Sequence, residues 1–263
     1  MDFSNKDIIH VKTPKIEYIQ FKELLKHGII NAYTLKKDGI NFRSNSIETE
    51  YSYKTICDEL KIKPEYITKG FQKHTSNVQE IERVMSLEEL KDTDGLITNK
   101  KNIALSTTNA DCNLIMLYDI NRKVIANVHA GWRGTFKKII ENAVIKMIND
   151  YNCNPNDIIA CFCPSIRQCH FEVEEDVKNE CEEIFSYTGK LEEIIKLGRV
   201  EENKQKYNIN TLLINKILME SLGIKKENII DCNICSMCNS DYINSYRAHK
   251  ESFKLSTAII MMQ

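Results

Sequence analysis

The spacing of apolar positions changes several times along this chain, and each change marks an element. Over residues 46–62, SIETEYSYKTICDELKI, Tyr53, Ile56, Cys57 and Leu60 recur at helical spacing and predict a helix. The segment TFKKIIENAVIKMINDY puts Phe136, Ile139, Ile140, Val144, Met147 and Ile148 on one face. It predicts an amphipathic helix that starts just after Gly134, with Thr135 as N-cap. Residues 172–187 and 208–222 also read as helices. IEYIQFKELL fits strand or helix. KHGIINAYTLKKDG reads as an extended segment ending in a turn at Asp38-Gly39. YITKGFQKHTSNVQEI alternates around a break at Gly70 and gives one or two strands. DGLITNKKNIALSTTNADCNLIMLYD adds strands on either side of NKKN. DIIACFCPSI, NIIDCNICSMC and STAIIMM read as further strands, the last one closing the chain. TGKLEEIIKLGRVEENKQKY reads as a charged, exposed connection. The chain shows no repeat, low-complexity tract or Pro/Gly linker. The expected fold is α+β: a single domain over residues 1–263, with a mixed β-sheet core and flanking helices.

One stretch concentrates chemistry. In NADCNLIMLYDINRKVIANVHAGWRG, the strands NLIMLYD and VIANVHA flank the turn INRK and form a hairpin. The hairpin brings Cys112, before its first strand, to His129, near the end of its second. A thiolate and an imidazole are ligands that zinc favours, and a catalytic zinc takes three protein ligands. His74, in QKHTSNV, is the third candidate.

Charge is balanced, with 36 basic and 37 acidic residues, so bulk electrostatics indicate neither a nucleic-acid partner nor an anionic membrane. No apolar run approaches the roughly 18 residues of a membrane span. The N-terminal MDFSNKDIIHVKTPK does not have the pattern of a signal peptide, and a cytoplasmic location is expected. The ten cysteines are then expected to be reduced thiols. Cys232, Cys235 and Cys238 in CNICSMC suggest a metal cluster. The second set in view is Cys161, Cys163 and Cys169, whose C-x-C spacing is poor, so structural thiols are the preferred reading. Asp94 reads as a turn residue, and Glu172 as structural.

The series QxH, DGLIT, ADC, HAGWRG, PSI…FEV and C-S…SYR resembles the laccase-domain family. Its members are also described as polyphenol oxidoreductases and multifunctional purine nucleoside phosphorylases. The resemblance runs from HGIINAYT near residue 27 to the C-terminus, and the intact HAGWRG is its most specific part. It implies a zinc held by His74, Cys112 and His129, the same set that ligand chemistry suggests. It implies phosphate-dependent cleavage of adenosine, inosine, guanosine and methylthioadenosine, so purine nucleosides and phosphate are the expected partners. Adenosine deaminase activity is also implied, since zinc-bound hydroxide at a pKa of about 7 is able to attack C6 of adenine. Arg133 and Arg247 are expected to contact phosphate. Asp111 is expected to orient a ligand or move a proton, so Asp111 and Arg133 are the candidate catalytic residues. Lys36 stands where the family often has Arg and becomes a point-charge candidate for phosphate. Asn31, Cys163 and Lys254 also depart from the family pattern. A monomer or small homo-oligomer is expected.

Other functions fit parts of the pattern. A copper-dependent polyphenol oxidase would need more histidines than the six present, with no H-x-H among them. A cysteine- or zinc-dependent amidase editing peptidoglycan precursors would use Cys112 with His129. A non-catalytic zinc-stabilised binding module would need four ligands rather than three.

Overall fold

The computed structural model describes residues 1–44 and 46–263. In chain order its strands are β1 (Ile8–Lys12), β2 (Glu17–Phe21), β3 (Ile30–Thr34), β4 (Ile67–Lys69), β5 (Val78–Glu80), β6 (Gly95–Thr98), β7 (Ala104–Asn109), β8 (Asn113–Asp119), β9 (Val124–Ala130), β10 (Ile158–Phe162), β11 (Glu172–Val173), β12 (Ile195–Glu201), β13 (Lys204–Ile209), β14 (Ile229–Asp231) and β15 (Ser256–Met261). Its helices are α1 (Lys22–Lys26), α2 (Glu48–Leu60), α3 (Trp132–Phe136), α4 (Ile139–Tyr151), α5 (Glu175–Phe185), α6 (Leu191–Ile194), α7 (Thr211–Ser221) and α8 (Tyr246–His249).

Two six-stranded sheets dominate, ordered β1-β2-β3-β15-β7-β4 and β14-β10-β8-β9-β6-β5. Alternation along the strands explains how they stack. In β15, Ala258 and Ile260 face the second sheet, while Ile259 and Met261 pack with Ile56, Cys57 and Leu60 of α2. In β8, Leu114, Met116 and Tyr118 join the core between the sheets. Ile115 and Leu117 face the opposite way, onto Ile140 and Val144 of α4 and Leu218 of α7. The layers are therefore α2, first sheet, second sheet, then α4 with α7. A strand buried on both faces reads as a continuous apolar run, as NLIMLY does. The α+β expectation holds.

Three local expectations differ. The helix predicted from Thr135 is divided: α3 already contains Gly134 and Thr135, and α4 starts after Lys138, which has φ 58°. Apolar periodicity runs through this break because the inward face is preserved across it. The helix expected from residue 172 starts at Glu175, after the short strand β11. The charged connection after residue 189 also contains β12 and β13, which form a three-stranded sheet with β11.

Candidate metal centre and its cavity

The β8–β9 hairpin forms in the expected register, with Asn113 opposite Ala130 and Leu114 opposite His129. Cys112 immediately precedes β8, so its thiol lies beside the His129 end of β9. His74 comes from the loop between β4 and β5, and its Nε2 is 3.6 Å from Cys112 Sγ. The His74 and His129 rings meet edge to face with centroids 4.8 Å apart. One donor atom from each of His74, Cys112 and His129 lies within 4.8 Å of the others. That set fits a borderline-soft cation such as zinc, with three protein ligands and an open fourth position.

Asp94 organises this triad. It sits fully buried just before β6, which pairs with β9. Its carboxylate accepts hydrogen bonds from the backbone N–H groups of Lys73 (3.1 Å), His74 (3.0 Å) and Thr75 (2.8 Å), and from the Thr75 hydroxyl (2.7 Å). These bonds hold His74 at φ 58°, a left-handed conformation that costs a non-glycine residue roughly 1–2 kcal/mol. The same carboxylate accepts a hydrogen bond from His129 Nδ1 at 2.8 Å, which leaves Nε2 as the free ring nitrogen. Sequence reading took Asp94 for a turn residue. Its partners in the loop at 73–75 are distant in sequence, and only the fold brings them to it.

Charge in the site follows from this packing. Burial opposes the Asp94 carboxylate, but the bond and charge of His129 and the Thr75 donors outweigh it and hold the group at about 2. Burial likewise opposes the Cys112 thiolate, and the His129 charge with hydrogen bonds from both histidines brings it down to about 6. Burial also opposes the His129 cation, but the Cys112 and Asp94 anions push the ring up to about 9. Without a metal the site is a thiolate beside an imidazolium, and metal binding displaces the ring proton. Gly131 keeps the triad compact: a Cβ there would collide with His74 Cδ2 and approach Cys112 Sγ to 3.1 Å.

The triad lines a cavity of about 770 Å³. Phe71, Trp132, Phe171, Tyr246 and Phe253 give it aromatic walls, and Arg43, Lys73 and Arg247 add positive charge. The size and mixture suit a small, flat, partly anionic ligand set. Arg43 lies outside every motif, and Lys73 is the variable middle residue of QxH, so neither stands out in the sequence. Arg43 lies over the Phe253 ring at 4.7 Å.

The other expected site residues divide between cavity and surroundings. Arg247 reaches the cavity. Its Nη1 donates to the His170 carbonyl and its Nη2 to the Glu172 carbonyl. Asp111 also lines the cavity, at φ 93°. Its carboxylate accepts the Ser236 hydroxyl at 2.6 Å and the Arg247 backbone N–H at 2.7 Å, an arrangement suited to positioning Arg247. Arg133 is exposed, stacks on Trp132 at 4.2 Å and is not on the cavity wall. Lys36 is not on the wall either: its Nζ donates to the Ser240 carbonyl and faces His249 Nε2 at 3.0 Å. Glu172 pairs with Arg199 at 3.2 Å, in keeping with a structural role.

Comparison with known proteins gives three kinds of likeness. A family described as multi-copper polyphenol oxidoreductase laccase matches residues 39–263. A purine nucleoside phosphorylase of Clostridium acetobutylicum is 28% identical over 243 residues, covering 92% of this chain and 94% of that protein. The purine nucleoside phosphorylase YlmD of Bacillus subtilis is 28% identical over 158 residues, covering 60% of this chain and 54% of that protein. Among solved structures, the hypothetical protein YfiH of Bacillus licheniformis superposes with a TM-score of 0.86 at 21% identity, covering 98% of this chain and all of that one. YlmD of Geobacillus stearothermophilus superposes with a TM-score of 0.84 at 18% identity, covering 97% and 99%.

Proposed function

The chain belongs to the multi-copper polyphenol oxidoreductase laccase family, and from that premise we propose that it is a zinc-dependent purine nucleoside phosphorylase. The proposed substrates are adenosine, inosine, guanosine and methylthioadenosine, each with phosphate, in the cytoplasm. The observation that carries this reading is the convergence of His74, Cys112 and His129 on the wall of an aromatic, cationic cavity. Relatives named purine nucleoside phosphorylase support it.

In this reading the aromatic walls stack the purine, with the single-ring faces of Phe71, Tyr246 and Phe253 as candidates. The Arg247 guanidinium holds phosphate through its remaining N–H donors, and Arg43 and Lys73 add charge. Asp111 fixes the Arg247 backbone, which makes it a positioning residue. The glycosidic C1′–N9 bond breaks, a phosphate oxygen bonds C1′, and one proton passes from dihydrogen phosphate to the leaving purine. A zinc held by His74, Cys112 and His129 supplies a Lewis acid when bound. Deamination of adenosine belongs to the same cavity: water bonds C6, the C6–N6 bond breaks, and inosine and ammonia are the products.

A second reading rests on one observation. Cys112, His129 and Asp94 form the relay of a cysteine hydrolase, which suits an amidase acting on peptidoglycan precursors. The second imidazole, His74, against the same thiol favours metal binding over this reading. Product analysis separates them. The four nucleosides are incubated with zinc-loaded protein, with and without phosphate. Phosphate-dependent release of free purine is expected, with ribose 1-phosphate from adenosine, inosine and guanosine and 5-methylthioribose 1-phosphate from methylthioadenosine. No release from zinc-loaded protein, with amide hydrolysis by the metal-free form, would reverse the order.

A further inference from the structure

A second donor cluster lies outside the triad. Cys169 and His170 sit in the loop after β10, and Cys235 and Cys238 in the segment after β14. Cys169 Sγ is 3.7 Å from Cys235 Sγ and 3.8 Å from Cys238 Sγ. His170 Nδ1 is 3.2, 3.9 and 3.3 Å from the sulfurs of Cys169, Cys235 and Cys238. Zinc–sulfur bonds of about 2.3 Å at tetrahedral angles separate sulfurs by about 3.8 Å, and place an imidazole nitrogen about 3.6 Å from each. Four donors at those separations form a closed shell. Cys232 of the same segment is excluded from it, being buried with Cys161 and Cys163 in the core between the sheets. Two of the three CNICSMC cysteines thus meet Cys169, from the second set in the sequence, together with its neighbour His170.

We propose that Cys169, His170, Cys235 and Cys238 bind a structural zinc ion that fastens the loop after β10 to the segment leading into α8. The surrounding bonds show what it would hold. Ser236 N–H donates to the Ser165 carbonyl at 3.0 Å, and Ser165 pairs with Cys235. The Ser236 hydroxyl donates to Asp111, and Arg247 Nη1 donates to the carbonyl of the ligand His170 itself. The ion therefore braces the wall of the cavity without lining it. With no fourth position open, its role is cohesion rather than chemistry.

The test is metal analysis of the full chain, independent of any activity. Variant C112A/H129A removes two triad ligands, and C235S/C238S removes two cluster ligands. Two donor groups predict two zinc equivalents in the unaltered chain, one in each variant and none in the combined variant. Should C235S/C238S fail to fold, cobalt substitution of C112A/H129A decides. Three thiolates and one imidazole give intense sulfur-to-cobalt charge transfer with tetrahedral visible bands. Absence of metal from C112A/H129A, a Cys169–Cys235 disulfide in it, or iron in place of zinc would each overturn the proposal.

Discussion

Asp94 Oδ1 lies 2.8 Å from His129 Nδ1, and the same side chain accepts the backbone N–H of His74 at 3.0 Å. One buried carboxylate thus sets the ring of one candidate ligand and the backbone of another. Replacing it by alanine would leave three backbone donors and one ring donor without partners, at a cost of about 1–3 kcal/mol for each that stays buried. We expect Asp94→Ala to lower zinc affinity by about 10- to 100-fold or more, with a loss of at least 3 kcal/mol in urea unfolding, roughly the summed cost of the orphaned donors. Asp94→Asn keeps one acceptor oxygen and should lie between. Competition against a chromogenic chelator reads the affinity, and wild-type affinity in Asp94→Ala would show that the triad needs no brace.

Gly131 has φ −62° and ψ 166°, a conformation alanine adopts without strain. Its added methyl would nevertheless enter the space of His74 and Cys112. Gly131→Ala should therefore fold while losing zinc from the triad. Near-wild-type melting together with metal analysis tests this; an unaltered zinc content would mean that His74 moves aside freely.

The thiol of Cys112 is brought down to about 6 and the ring of His129 pushed up to about 9. The signs oppose each other. The depressed thiol, against an unfolded value of 9.0, adds stability that grows as pH rises from about 6 to 9. The raised imidazole, against 6.5, adds stability that is lost as pH rises through about 9. Metal-free protein should hence show nearly constant stability between pH 6.5 and 9. Its ultraviolet thiolate absorbance, taken as the difference from Cys112→Ser, should rise with a midpoint about 6. A midpoint near 9 would refute the thiolate–imidazolium pairing.

Among the cationic side chains singled out in the sequence, Arg247 alone lines the cavity, whereas Arg133 and Lys36 do not. Arg247→Ala should raise KM for phosphate by about 10- to 100-fold, the worth of a charge-assisted hydrogen bond. Arg247→Lys should recover part of that loss, since the charge remains and the fork does not. Arg133→Ala and Lys36→Ala should leave KM for phosphate near wild type. An effect of Arg133→Ala equal to that of Arg247→Ala would place phosphate outside the cavity described.

The hairpin was legible because β8 and β9 are continuous apolar runs joined by a short polar turn, so Cys112 and His129 could be paired before any coordinates. The second hairpin was not. β12 is largely exposed, with Leu197 at 76% and Val200 at 67%, β13 is mostly half-buried, and Lys206 of β13 pairs with Glu201 of β12 and with Glu174. Ile195 and Ile209, at one end of the pair, pack on the core, and two such positions write too little alternation into the sequence. Their turn did leave one trace, in Asn203 beside Glu202, both at positive φ. The roles of Asp94 and of Cys169 with His170 stayed hidden for another reason. Their partners lie far along the chain, at Lys73–Thr75 and at Cys235–Cys238, and only the packing of loops against the second sheet brings them together.

The most direct test of the central claim is a zinc titration of metal-free protein, following phosphate-dependent purine release from adenosine in the same samples. The account predicts no release without metal, a rise that saturates as the triad fills, and none at any zinc level in Cys112→Ala or His129→Ala. Full activity in metal-free protein, or undiminished activity in those two variants, would contradict it.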